Sequence, residues 1–263
     1  MSCNKTKQLL KLFQPILDDY ACSCDVDAFD GEIVIAEDMS QMYLSLRRIK
    51  ADQCTVKIDD IHKYHGLTVQ PADKDERFTI LLNENYINDS IEKGNNEWIR
   101  TLVHEATHVN DFKDYYKIVS PESYDELYEY SRHRAFLHWT EFHARAIGHY
   151  FLRKYSLQNF KSITHVQRIF DVELPFHIQR LVEKLNSTSD ADAQLYDVSH
   201  FLGRLAVWQF LYPSVFNNSF ICELTNSNPW MKELYFWLTQ YKTLEEIQPH
   251  FSEFEAILDK HFL

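Results

Sequence analysis

The chain has 263 residues, 45% hydrophobic and 14% aromatic, with five glycines and a formal net charge of −12. That is enough apolar material for one sizeable core or two modest ones, which excludes a disordered acidic tail. The negative balance argues against a phosphate-binding surface and so against nucleic acid as a partner, five glycines leave little for phosphate-cradling loops, and no run of about 18 apolar residues is present to cross a membrane.

Met1-Ser2-Cys3-Asn4-Lys5 leads into a mixed helix expected over 5–20, with no apolar stretch of signal-peptide type. The cysteines, Cys3, Cys22, Cys24, Cys54 and Cys222, are odd in number and scattered, which fits reduced thiols better than a disulfide framework. Both observations lead us to expect a soluble, cytoplasmic protein. Cys22-Ser23-Cys24 reads as small, partly buried residues in a loop. Short strands are expected at Glu32–Glu37, Thr55–Ile58 and Arg77–Asn83, β-branched or aromatic runs separated by Asp, Lys and Gly turns.

Segment 95–116 has helical period: Trp98, Leu102, Ala106, Val109 and Phe112 recur at i+3 or i+4 and make one apolar stripe. Asn95 or Asn96, after Gly94, is the expected N-cap. Beside the stripe lies His104-Glu105-Ala106-Thr107-His108. Histidines at i and i+4 project from one helix face, so their ring nitrogens can converge on one ion roughly 2.0–2.1 Å from each. The carboxylate between them is placed to take a proton from a metal-bound water. Asp111, three residues after His108, is a candidate to hold a ligand imidazole in its metal-binding tautomer. A strand at 77–83 ahead of this helix resembles the zincin arrangement, which implies that the strand edge holds an extended substrate.

A catalytic zinc needs a third protein ligand and keeps its fourth position for water. The pattern in which a glycine turn brings in a third histidine requires Gly at 111 and His at 114, where this chain has Asp111 and Asp114. Glu141, in Trp139-Thr140-Glu141-Phe142-His143-Ala144-Arg145, follows His108 at a spacing that allows a connector and a return helix. Glu126, Glu129 and His133 are the other candidates. Tyr116–Val119 is expected to be that connector. Ser120-Pro121 is expected to start a helix that runs to about Tyr155, with a break near Ser131. Tyr115, Tyr128, Tyr130, His133, His138 and His143 lie in or between the two helices as candidate oxyanion donors, and the sequence does not rank them.

HExxH with a glutamate on a later helix resembles the gluzincin class, and Glu141 followed by Ala144 looks like its short ExxA form. In compact form the pattern, over about residues 77–155, is similar to the IrrE/ImmA-like metallopeptidases. The resemblance implies His104, His108 and Glu141 as ligands of Zn2+ and Glu105 as general base. It further implies cleavage of a cytoplasmic partner protein. Arg145 stands where longer gluzincins carry an aspartate four residues after the ligand glutamate, and no Met-Pro segment follows the second helix.

Beyond Leu157, segments near 164–185, 191–211 and 229–260 are aromatic-rich and helical in period, and no further metal pattern occurs. Leu202, Leu205, Trp208, Phe210 and Leu211 form an apolar stripe that reads as core before it reads as a groove. The expected fold is α+β, predominantly α: a zincin-like core over 1–156 with a small N-terminal sheet and two motif helices, then an all-helical subdomain over 157–263. Two function classes follow. One is a zinc-dependent peptidase acting on an intracellular peptide or protein, with no nucleic acid or membrane partner. The other is a non-catalytic regulatory or binding protein whose zinc site is structural or vestigial. Glu105 favours the first, since a purely structural site has no use for it.

Overall fold

The computed structural model describes residues 3–54, 61–73, 75–129, 133–156, 162–226 and 228–262. The chain divides into two units, Met1–Glu129 and Tyr130–Leu263. The division falls ahead of the helix that carries Glu141, not at 156. The described residues are mostly helical with one three-stranded sheet, an α+β arrangement with α predominant.

The first unit holds the sheet. Strand β1 is Glu32–Ala36, β2 is Gly66–Val69 and β3 is Thr79–Asn83, in the order β1-β3-β2. β1 runs parallel to β3, pairing Glu32 with Thr79 and Ala36 with Asn83. β2 runs antiparallel to β3, pairing Gly66 with Leu82 and Thr68 with Ile80. A central strand is covered on both faces, which explains the unbroken apolar run Ile80-Leu81-Leu82. β3 therefore has no open edge; among the described residues the strands at the borders of the sheet are β1 and β2. Strand β2 was not expected, because four residues beginning with glycine carry too little alternation to read. The expected strand at Thr55–Ile58 lies outside the described residues.

Side chains alternate across the sheet. Leu67, Val69 and Leu81 pack with Ala36, Met39 and Ile61 on one face, where helix α2 (Met39–Arg47) lies. Gly66 and Thr68 turn to the other face, toward the helix of the motif. Asp38 caps α2 by accepting from the Gln41 amide. Helix α1 (Cys3–Cys24) also packs on the motif helix, with Phe13 tilted against Trp98 at 5.3 Å and the Tyr20 hydroxyl accepting from Asn110 at 3.0 Å. α1 is longer than expected, so Cys22 and Cys24 sit in its last turn and not in a loop.

After helix α3 (Glu84–Lys93), Gly94 in the left-handed region (φ 62°) closes that helix. The motif helix α4 spans Glu97–Val119. The Glu97 amide donates to Asn95 Oδ1 at 3.1 Å, so Asn95 does the capping while Asn96 (φ 55°) makes the bend. α4 continues through Tyr116–Val119, the residues expected to form the connector. Nothing in Tyr116-Lys117-Ile118-Val119 breaks the helical pattern, and Lys117 reaches back to Asp114. Ser120 stops it in the left-handed conformation, donating its amide to the Tyr116 carbonyl, and Pro121 forbids continuation. A turn and a 3₁₀ segment (Asp125–Glu129) follow where a helix was expected. Tyr124 packs edge-on against Phe78 at 4.8 Å.

The second unit is all helix among its described residues. Helix α5 (His133–Ser156) packs along α8 (Ala191–Leu211), the expected 191–211 segment residue for residue. Gly203 permits the approach: a Cβ there would stand 2.7 Å from the Phe142 carbonyl oxygen and 3.0 Å from the Arg145 Cβ. Leu202, Leu205 and Trp208 are core, as the stripe implied, while Phe210 is 74% exposed. The expected helix near 164–185 is α6 (Ile163–Arg168), a π-helical turn (Ile169–Glu173) and α7 (Leu174–Ser187). Pro175 explains the widening, because it has no amide to offer the carbonyl of Asp171 and its ring would clash there. α9 (Asn218–Leu224) was not foreseen. The 229–260 segment is split into α10 (Pro229–Gln240), α11 (Leu244–Ile247), a 3₁₀ turn and α12 (Phe251–Phe262), with Thr243 capping α11.

No helix among the described residues is long and apolar enough to cross a membrane.

Candidate metal centre

The motif sits in the middle of α4, whose burial is not confined to the apolar stripe. His104, Glu105 and His108 are each under 10% exposed. The two rings stand nearly perpendicular, 88° apart, and their Nε2 atoms are 3.1 Å from each other. Two neutral imidazoles at this distance either share one N–H or aim both lone pairs at a common cation. Tetrahedral coordination at zinc–nitrogen distances of 2.0–2.1 Å puts two ligand nitrogens ~3.3 Å apart. The pair thus fits a zinc ion with a small adjustment.

Glu105 is held from the sheet. Its Oε2 accepts from the Thr68 hydroxyl at 2.9 Å, and the same hydroxyl lies 3.0 Å from the Glu105 backbone carbonyl. Asp111 is buried on the same helix and lies close enough to Tyr20 to reinforce the upward shift of that phenol's pKa, whose main cause is burial. Asp114 turns to the surface and pairs with Lys117 at 2.9 Å. Glu126 accepts from the Glu122 amide at 2.9 Å, which engages it in closing its own turn.

In the second unit, Glu141 on α5 faces His200 on α8. His200 Nε2 lies 2.8 Å from Glu141 Oε2, and Arg145 approaches His200 Nδ1 at 2.8 Å. An ionised carboxylate only accepts, so the neutral ring carries its proton on Nε2 and gives it to Glu141, while the Arg145 guanidinium, 3.3 Å from Nε2 as well, lies against the ring face. Burial, followed by the charge of Arg145, pushes His200 down to about 3 against the pull of Glu141, so the ring is neutral at physiological pH. Arg145 therefore reaches the histidine that holds Glu141. Groups able to ligate a metal ion stand in each unit: the His104/His108 pair in the first, and Glu141 with His200 in the second. While His200 Nε2 carries the proton for Glu141 it has no lone pair for a metal, which makes it a partner of the carboxylate and not a ligand in this state.

His133, His138 and His143 all lie on α5. His138 Nε2 is 3.5 Å from Asp192, whose pKa is held at about 2 chiefly by that contact and then by Arg134. His143 stacks on Trp139 at 5.0 Å. His133 is buried near Phe136, and burial pushes it down to about 4. An unfolded His133 takes up a proton below about pH 6.5 whereas the folded one stays neutral to about pH 4, so stability falls as pH is lowered through that window. We expect this group to cost roughly 1–2 kcal/mol between pH 7 and pH 5. Urea unfolding at the two pH values should show a smaller loss for His133→Leu than for the wild type. Tyr115 is buried on α4, and the side chains of Tyr128, Glu129 and Tyr130 lie outside the described residues.

Sequence reasoning named His104, Glu105, His108 and Glu141 as candidates and did not name Thr68, Gly66 or His200, which the structure sets beside Glu105 and Glu141. His200 had no signal, being 59 residues from Glu141 and outside any motif. No family model, no curated protein and no solved structure matches this chain.

Proposed function

We propose that this protein is a zinc-dependent peptidase of gluzincin type, with a zincin-like core, that cleaves a peptide bond in an intracellular peptide or protein. The observation that carries the reading is the His104/His108 pair, converged to 3.1 Å in a buried helix with Glu105 between them held off by Thr68. His104, His108 and Glu141 are the proposed ligands of Zn2+. A zinc ion there supplies Lewis acidity and lowers the pKa of a bound water toward about 7. Glu105 accepts the proton of the attacking water and returns it to the leaving amine. His200, backed by Arg145, orients the Glu141 carboxylate as partners of ligating groups do. The net charge of −12 favours basic peptides over acidic ones by attraction at a distance.

The test is zinc content by elemental analysis of the purified wild type, His108→Ala and Glu141→Ala after reconstitution. About one zinc per chain, lost in both variants, is expected from a site of three protein ligands. A wild type that takes up none would transfer the case to a non-catalytic binding protein. Zinc retained by Glu141→Ala would remove Glu141 from the ligand set.

A further inference from the structure

The Glu105 side chain is held by a hydrogen bond from another element of its own unit, and that element is β2. The two β2 residues that face α4 act on it in different ways. Gly66 lies against its stem: a Cβ on Gly66 would stand 3.0 Å from Glu105 Cγ, 3.2 Å from Oε1 and 2.6 Å from Thr101 Cγ2. Any larger residue at 66 would push the glutamate aside. Two positions along, on the same face, the Thr68 hydroxyl reaches Oε2 and the backbone carbonyl of the same residue. Threonine is β-branched, so its χ1 is stiff and the hydroxyl has little freedom to leave.

The strand is itself fixed at this end. The His65 carbonyl accepts from the Asn83 amide at 3.0 Å, and the His65 ring stacks on Tyr86 at 3.8 Å with 6° between the planes. Tyr86 in turn accepts from Thr101, one turn before Glu105 on α4. Strand, helix α3 and helix α4 are thus linked around one carboxylate.

We infer that Gly66 and Thr68 of the border strand β2 form a cradle that aims the carboxylate of Glu105, with Thr68 as a positioning residue for the general base. The inference rests on the peptidase reading. A glutamate has three side-chain torsions, and a base that must meet a proton within hydrogen-bond reach works only when those torsions are set beforehand. Thr68 sets them through a group that touches neither substrate nor metal.

The test uses the full chain loaded with zinc and acetohydroxamate as probe, because a hydroxamate binds zinc through its two oxygens while giving its proton to a neighbouring base. Glu105→Gln is the reference for losing that base. Thr68→Val keeps the shape and removes the hydroxyl; Thr68→Ser keeps the hydroxyl and removes the methyl. We expect Thr68→Val to hold zinc as the wild type does, to bind acetohydroxamate about tenfold more weakly, and to lose kcat about 10- to 100-fold on a cleaved peptide with KM little changed. Thr68→Ser should restore both, and Gly66→Ala should reproduce the loss.

Wild-type hydroxamate affinity in Thr68→Val would overturn the cradle while leaving the peptidase reading intact. So would a Thr68→Ser protein as weak as Thr68→Val, since that points to packing of the methyl and not to the hydroxyl. Failure of the wild type to take up zinc, or a Glu105→Gln protein that binds the probe unchanged, would overturn the peptidase reading and the cradle with it.

Discussion

Glu105→Gln is expected to keep the zinc content of the wild type and to lose peptide hydrolysis by about 10²- to 10⁴-fold, the range that a general base contributes. The substitution is nearly isosteric. It leaves His104 and His108 in place, and the amide oxygen of the new side chain can still accept from Thr68. What disappears is the capacity to take a proton from water at neutral pH. The measurement is a pair: elemental zinc, and cleavage of a mixed peptide library followed by mass spectrometry. Loss of zinc together with activity would mean that Glu105 supports the metal and not the proton transfer. Retained hydrolysis would remove its assigned role. A regulatory protein with a structural zinc would pass the zinc test and cleave nothing in either form, so the same pair separates the two function classes.

Trp208→Ala is expected to destabilise the second unit by about 3–5 kcal/mol, the usual cost of truncating a large aromatic in a well-packed interior. Trp208 is fully buried on α8, with Phe216 at 5.7 Å and the rings of His149 and His177 at about 6 Å. These neighbours come from three other segments, so they cannot all close on the cavity at once, which puts the expectation toward the upper part of the range. Phe210→Ala, two residues further on the same helix, is the control. That ring is mostly exposed, and its loss should change stability by no more than about 0.5 kcal/mol. Urea unfolding of the two variants beside the wild type gives the comparison, and equal midpoints for Trp208→Ala and Phe210→Ala would contradict the packing described for α8.

The pH dependence expected from His133 and the metal dependence expected from His108 and Glu141 bear on different parts of the chain. The first reports on burial in α5 and is indifferent to function. The second reports on function and requires only that the chain fold.

Some of this protein is written locally. The α4 helix, its cap region around Asn95 and the convergence of His104 with His108 follow from 3.6-residue periodicity, which acts over four residues and needs no knowledge of the rest of the chain. The same local rule gave the 191–211 helix and the burial of Leu202, Leu205 and Trp208 within it. It failed at Tyr116–Val119, where a break was expected although no residue there opposes a helix, and at Pro175, where the chain absorbed a proline by widening one turn. Other features are decided only when distant segments meet. β2 is a strand because β3 offers it a partner, not because Gly-Leu-Thr-Val demands it. Thr68 meets Glu105 across 37 residues and His200 meets Glu141 across 59. The sequence by itself determined that two imidazoles and a carboxylate share one stretch of helix, since that is a property of side chains at helical spacing. Tertiary structure decided which hydroxyl, imidazole and guanidinium hold the carboxylates in place, because sheet register and helix packing set contacts over a range that no local pattern reaches.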